Sequence, residues 1–434
     1  MESVVNFVKK QPPGRLIAGG FALVILLGAF VLMLPVSVRK GVNVSFVDAL
    51  FTSASAVCVT GLIAIDTADH FTAFGQGVVA ALIQIGGLGV TSVGVGLILA
   101  AGKRVGMKSR LLVQEALNMD SGKGIVRLVK SIIFMTLCFE GVGACLSFLV
   151  FRQDYPFWHA LGISIFHSIA AFNNSGFDVL GGLRNLIPYQ ESILLNLTTA
   201  GLIIFGGIGF FVILDVWKCR SFKKLSFHSK IVLTTSMVLL LVGTVLLKAT
   251  ENISWMGAFF HSVSARTAGF STYPIGEFTD AGLFVLCILM FIGASPGSTG
   301  GGIKTSTFFT LVQTARSAFS KRHIGAFKRT ISKESVSKAY MITTISLVVV
   351  CAGTFLMCVL EPEYSFMQLL FEVISAFGTV GLSTGITPVL GVPAKLVIII
   401  IMFIGRLGAF TLLSIWIERP EQNIRYTEEP VTIG

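Results

Sequence analysis

One pattern recurs four times in the chain: Val59-Thr60-Gly61-Leu62, Asn174-Ser175-Gly176-Phe177, Thr267-Ala268-Gly269-Phe270 and Thr379-Val380-Gly381-Leu382. Each is a mostly small or polar pair, then Gly, then a large apolar residue. The flanks agree as well. A Phe stands ten residues before each Gly (Phe51, Phe166, Phe259, Phe371) and a small residue five before it (Ala56, Ala171, Ser264, Ala376). A second Gly follows 24 to 30 residues later, at Gly86, Gly206, Gly293 and Gly405. Agreement at each of these places marks one unit repeated four times, and a repeat constrains the fold before any single element is assigned.

The medium in which the unit folds follows from composition. The chain is 53% hydrophobic and 13% charged, with mean hydropathy +0.83, against about 25% charged residues in a soluble domain. Apolar runs of spanning length cover 16–34, 73–100, 126–151, 192–216, 231–247, 281–317, 336–360 and 393–416. Within successive pairs of runs lie stretches too short to cross, 47–57, 158–171, 254–265 and 366–377, and each leads straight into one signature. Such stretches read as re-entrant half-helices. The predicted fold class is therefore an all-α membrane protein. Its eight transmembrane helices form four parallel span–pore-loop–span repeats, with pseudo-fourfold symmetry around one central pore. The units divide as 1–105, 106–225, 226–320 and 321–417, with a tail at 418–434.

The net charge of +11 is a topology signal. On a model with the N-terminus inside, 24 of the 33 Lys and Arg residues collect on one side. That places both termini and three basic loops in the cytoplasm of a multi-pass cell-membrane protein. The basic balance needs no nucleic acid and suits anionic lipid. Seven scattered cysteines without a CxxC read as small apolar helix residues, not as metal ligands or disulfides.

A dehydrated cation at membrane depth needs oxygens in place of its water, and rings of backbone carbonyls supply them. Turning successive carbonyls inward takes unusual backbone angles that glycine tolerates. The candidate K+-binding residues are Val59, Thr60, Gly61, Asn174, Ser175, Gly176, Thr267, Ala268, Gly269, Thr379, Val380 and Gly381. Half-helices that run inward from the outer face add their C-terminal partial negative charge. Asp48 and Glu372 stand at unmatched positions, so there is no ring of acids, and selection by carbonyls favours K+ over Ca2+. Any one of these glycines could be a packing residue of a membrane helix; four in matched context argue for the ring.

A second feature interrupts the sixth apolar run: Gly293, Ala294, Ser295, Pro296, Gly297, Ser298, Thr299, Gly300, Gly301 and Gly302, followed by Lys304. Five glycines and a proline in ten residues do not continue a helix, and broken helices at membrane depth line cavities or lie buried in protein. The segment 293–303 reads as an intramembrane gate loop, with a static kink as the alternative. It fails as a phosphate-binding loop, because Ile303 intervenes before Lys304 and no soluble strand precedes it. Arg406 stands where the other repeats carry Gly87, Gly207 and Ala294, and would oppose cations beneath the ring or pair with Asp215. Arg266 and Glu372, in neighbouring pore-loop units, are predicted to form a buried salt bridge. Glu140 lies mid-span, either as a coupling-ion ligand or, preferably, hydrogen-bonded to a neighbouring helix. His167-Ser168 and His261-Ser262 lack an acid partner, so no catalytic residue is assigned and an enzyme is not expected.

The four signatures, the Ala-Ser-Pro-Gly-Ser-Thr-Gly-Gly-Gly-Ile-Lys-Thr run at 294–305 and the Gly405-Arg406 pair together resemble the Trk/Ktr/HKT superfamily of K+ transporters. Length and eight spans are nearest the bacterial Ktr-type membrane subunit. The resemblance implies a K+ uptake protein, often Na+-dependent, that works as a homodimer with one pore per subunit. It also implies a cytosolic ring of nucleotide-binding, RCK-like regulatory subunits, with ATP and ADP bound by that partner and no cofactor on this chain. The ring would dock on the basic loops 101–125 and 218–230 and near the tail. Under the same resemblance the filter glycines are Gly61, Gly176, Gly269 and Gly381, the gate loop is 293–303, and the pore arginine is Arg406. Only the fourth signature reads Thr-Val-Gly, and none continues Tyr-Gly, which predicts fewer well-formed ion sites than a K+ channel holds. The alternative function is an alternating-access carrier for another cation or solute.

Overall fold

A computed structural model describes residues 11–100, 106–116, 124–320 and 323–408. The tail 418–434, the basic residues Lys9, Lys10, Lys103, Arg104, Lys123, Lys321, Arg322, Arg419 and Arg425, and part of the loop 101–125 lie outside the described residues.

The chain is a helical membrane protein whose elements recur in one order. The first set is α1 (Pro13–Leu32), α2 (Phe46–Cys58), the short α3 (Thr67–His70), α4 (Ala73–Leu88) and α5 (Val90–Ala100). After α6 (Met107–Ala116) come α7 (Ile125–Asp154), α8 (Phe157–Phe172), α9 (Ile193–Ile208) and α10 (Phe210–Cys219). The third set is α11 (Phe227–Thr250), α12 (Trp255–Ser264), α13 (Asp280–Phe291) and α14 (Thr305–Ser320). The fourth is α15 (Lys333–Leu360), α16 (Phe366–Gly378) and α17 (Val392–Leu407). One departure from an all-α chain is an antiparallel two-residue ribbon, β1 (Gly325–Ala326) with β2 (Arg329–Thr330), ahead of α15.

The helices α1, α7, α11 and α15 are long and apolar enough to cross a membrane alone. The half-helices α2, α8, α12 and α16 start and stop within a few residues of the stretches read from the sequence. Serine hydroxyls cap three of their N-termini: Ser45, Ser254 and Ser365 accept from the N–H groups of Asp48, Gly257 and Gln368. Gln368 returns a bond to Ser365 and completes a capping box.

What ties three of the four half-helices to their first spans is a contact the sequence reading did not find. Gly28, Gly143 and Gly243 leave room for Ser53, Ser168 and Ser262 on the half-helix and for Leu82, Leu202 and Leu289 on the following span. Each serine hydroxyl then donates to a carbonyl of the first span: Ser53 to Ile25 at 2.7 Å, Ser168 to Glu140 at 2.6 Å and Ser262 to Leu240 at 2.9 Å. In the fourth set Gly353 faces Val373 and Ile401 instead. Small residues at membrane helix contacts let backbones approach in this way. Gly143→Val should therefore cost about 1–3 kcal/mol by overpacking and lower the unfolding temperature in detergent. Gly141→Val, on the same helix with open space around it, serves as the control and should leave that temperature nearly unchanged.

Two sequence expectations need correction. The runs 73–100 and 192–216 are not straight spans. The chain bends by 100° between α4 and α5 and by 96° between α9 and α10. The hinges are Gly89 (φ 82°) and Gly209 (φ 100°), backbone that a side chain strongly disfavours. Gly408 (φ 81°) ends α17 in the same conformation. Second, the third half-helix is a residue out of step. Phe259 is only half-buried, and Phe260 takes the buried place held elsewhere by Phe51, Phe166 and Phe371.

Candidate functional site

The four signatures meet in a closed circle. A Cβ built on Gly61 would overlap the Ser175 carbonyl oxygen, and one on Gly176 would crowd that of Ala268. One on Gly269 would overlap the Val380 carbonyl, and one on Gly381 that of Thr60. Each glycine thus abuts the signature of the next repeat, and the fourth returns to the first. Backbones this close admit no side chain at those places.

Local conformation follows a common rule. The residue two before each glycine, Val59, Asn174, Thr267 and Thr379, has φ of 57°, 59°, 76° and 49°, and the glycines have 88°, 67°, 77° and 97°. Left-handed backbone at alternate residues turns successive peptide planes the same way. It is costly for β-branched Val59, Thr267 and Thr379, and hydrogen bonds from the segment to the half-helix ends hold it. The N–H groups of Thr60, Ser175, Gly269 and Val380 donate to the carbonyls of Ser55, Ala170, Ser264 and Ser375 at 2.8, 2.9, 3.3 and 2.9 Å. Gly61 N and Gly381 N donate to the Ser55 and Ser375 hydroxyls at 3.0 and 3.1 Å. The donors are thereby used up on the helix side. Among the described residues, the carbonyls of the three signature residues that end at each glycine accept no hydrogen bond, except that of Gly176, which Asn185 Nδ2 reaches at 3.2 Å; beyond the glycines, the Phe270 carbonyl accepts from Ser264 Oγ. The arrangement is a circle of uncommitted oxygens at the negative ends of four helices. The aliphatic and aromatic residues that follow each glycine, Leu62, Phe177, Phe270 and Leu382, are fully buried behind it.

The 293–303 loop lies against one side of this circle. Gly300 sits against the Thr267 side chain and Gly301 against that of Thr379. Gly301 N donates to Thr379 Oγ1 at 3.0 Å. The loop is anchored to the second repeat through Ser295 N to Gly207 O at 3.0 Å, Thr299 Oγ1 to Gly206 O at 3.2 Å, and Phe210 N to Gly297 O at 2.9 Å. Arg406 spans three chain segments: its guanidinium donates to the carbonyls of Thr299, Gly86 and Gly87. Lys304 Nζ donates to Gly300 O at 2.7 Å. Asp215 is engaged elsewhere, by Ser226 N and Ser229 Oγ at 2.9 and 2.6 Å, so the Arg406–Asp215 alternative is not realised. A cavity of 590 Å³ lies beside the loop, lined among others by Ser298, Gly300, Lys304, Thr307 and Arg406. Gly293, Ala294, Pro296 and Gly302 complete the non-helical segment, with Ile292 and Ile303 bridged across its neck.

The predicted Arg266–Glu372 salt bridge does not form. Among the described residues the ion pair present is Lys395 with Asp48, at 2.8 Å, which ties α17 to α2. Glu372 is fully buried and turned toward its own repeat. It accepts from Ser383 Oγ (2.6 Å), Thr384 N (3.0 Å), Thr384 Oγ1 (3.3 Å) and Thr387 Oγ1 (2.6 Å). Three hydroxyls and an amide N–H solvate the carboxyl group locally and pin the extended segment that follows Gly381. Replacing Glu372 by Ala strands those donors, at about 1–3 kcal/mol for each buried group left unpaired. Thermal unfolding of the purified chain should show a loss of several degrees, and Glu372→Gln should recover part of it.

Glu140 hydrogen-bonds to a neighbouring helix end: Asn173 Nδ2 donates to its Oε1 at 3.0 Å and to Gln84 Oε1 at 2.9 Å. Asn173, adjacent to the second signature, was not singled out in the sequence; its position three before the glycine, matching Arg266 in the next repeat, was the available signal. His167 Nε2 meets Thr199 Oγ1 at 2.8 Å, and His261 meets Gly257 O and Ser271 Oγ at 2.8 and 3.3 Å. Both are buried structural histidines.

Comparison with known proteins matches the chain to one family. The TrkH family, cation transport proteins, matches residues 23–425. Ktr system potassium uptake protein B of Bacillus subtilis (strain 168) is 39% identical over 446 residues, spanning 100% of this chain and 99% of that protein. Potassium/sodium uptake protein NtpJ of Enterococcus hirae is 36% identical, spanning 98% of each. The crystal structure of the potassium transporter TrkH from Vibrio parahaemolyticus shares the fold, with a TM-score of 0.74 at 19% identity over 93% of this chain and 84% of that one. These relatives are transporters, not enzymes. The chain belongs to the TrkH family of cation transport proteins.

Proposed function

We propose that the chain carries K+ into the cell through the circle of signature carbonyls, by channel-like conduction driven by the membrane potential. The observation that carries this reading is the closed circle of four glycine-centred segments whose carbonyl oxygens, that of Gly176 apart, are left without protein donors. Such oxygens can replace the hydration shell of a monovalent cation. The potassium names of the full-length relatives favour K+ as the ion, and the Enterococcus relative's name adds Na+ as a second.

In this reading the repeats 1–105, 106–225, 226–320 and 321–417 each give one wall of the pore. Both termini and the basic loops face the cytoplasm of the plasma membrane. The 293–303 loop, held by Arg406 and Lys304, is the gate on the cytoplasmic side. Two copies associate, and a cytosolic nucleotide-binding subunit, which takes ATP or ADP, moves the gate. The Ktr system names of the relatives support such a partner.

Uptake into vesicles that contain only this chain tests the reading, with a K+ gradient, a set membrane potential, and Na+ present or absent. Uptake that tracks the potential and does not saturate at low K+ is the expected result. Slow, saturable exchange indifferent to potential would favour the alternating-access carrier.

A further inference from the structure

Two pockets at equivalent places behind the circle differ in charge. In the second repeat Asn173 precedes the left-handed Asn174, and its amide is met by Glu140 and Gln84. In the third repeat Arg266 precedes the left-handed Thr267 and shares a pocket with Ile204, Gly207, Ser236 and Leu240. Leu240 occupies the place of Glu140, because the carbonyl of each accepts from the serine of its own half-helix, Ser262 or Ser168. Gly207 likewise stands where Gly87 faces Asn173. So α11 presents an aliphatic chain where α7 presents a carboxyl group.

Arg266 is 8% exposed. It reaches the Ser236 carbonyl through Nη1 at 3.5 Å, at the limit of hydrogen bonding. Its Nε has no partner, and neither does the Ser236 hydroxyl. Among the described residues no acid pairs with it. A charge buried without a counter-charge is strongly disfavoured, and unmatched donors add to the penalty. The pocket offers donors and apolar walls, which suits an anion. Its volume is 20 Å³. That is room for a single atom-sized occupant and too little for a phosphate or a carboxylate.

We propose that this pocket between the second and third repeats binds a halide ion, chloride under ordinary conditions, which takes the part that the Glu140 side chain plays in the second repeat. The bound ion would sit between Arg266 Nε and Ser236 Oγ. Arg266 adjoins Thr267, whose side chain touches Gly300 of the loop, so occupancy would stiffen the inner edge of the circle.

The test is thermal unfolding of the purified full-length chain at constant K+ and ionic strength, with gluconate, chloride or bromide as the anion. The wild type should unfold about 2–4 °C higher in chloride and bromide than in gluconate. Leu240→Glu restores an internal carboxyl, and should unfold in gluconate as the wild type does in chloride, with no further gain. Arg266→Leu should show no anion dependence. Bromide-containing crystals should carry an anomalous peak between Arg266 and Ser236. Equal wild-type unfolding in gluconate and chloride would overturn the proposal. So would an undiminished chloride gain in Leu240→Glu, or no bromide at the pocket, which would leave water as the occupant.

Discussion

Gly381→Ser should reduce discrimination between K+ and Na+ by roughly tenfold or more, equivalent to about 1.4 kcal/mol, while the protein still reaches the membrane. The cause is geometric. A Cβ at this position would overlap the Thr60 carbonyl oxygen of the first repeat, and the glycine has φ 97°, which serine adopts only under strain. One junction of the circle must then open, and the oxygens on both sides of it leave their places. A looser circle pays less to hold the smaller, more strongly hydrated Na+. Paired Rb+ and Na+ fluxes in vesicles measure the ratio. Unchanged discrimination with normal expression would mean that ions are not sorted at this circle.

The second large effect concerns the loop. Removing residues 295–302 should raise K+ flux through the chain alone, without any regulatory partner. That segment fills the space against Thr267 and Thr379, on the face of the circle next to the 590 Å³ cavity. Arg406→Gln is the milder version. It keeps the loop but removes charge-assisted bonds to Thr299, Gly86 and Gly87. A hydrogen bond from a charged group contributes about 1.5–3 kcal/mol, so losing one bond's worth shifts the closed-to-open ratio by roughly tenfold or more. Flux that stays flat or falls in both variants would reduce the loop to a static kink.

The half-helices and the circle were legible because a repeat makes weak signals add. No single Thr-Ala-Gly means much, yet four in register name the residues that touch. The bends at Gly89 and Gly209 were hidden for the opposite reason. Hydropathy runs straight through both, and a helix that turns within an apolar stretch leaves no polar residue to mark it. The recurring Gly-Gly-x-Gly at 86–89 and 206–209 was the available sign. The doublet Phe259-Phe260 concealed the shortened third half-helix, since either ring satisfies the pattern by type. Arg266 and Glu372 misled because opposite charges at similar depth invite pairing. Sequence spacing could not reveal that Ser383, Thr384 and Thr387 fold back to claim the carboxylate first.

The junction of the last repeat with the first has a bearing on biosynthesis. Lys395 reaches Asp48 across 347 positions of chain, and Arg406 reaches Gly86 across 320. Three walls emerge from the ribosome long before the fourth can join them, and the arginine that fastens the loop is among the last residues of the fourth to arrive. A nascent or prematurely terminated chain therefore holds an unfinished enclosure, and under the function proposed above the barrier against ion leakage would be assembled in nearly the same moment as the passage it closes.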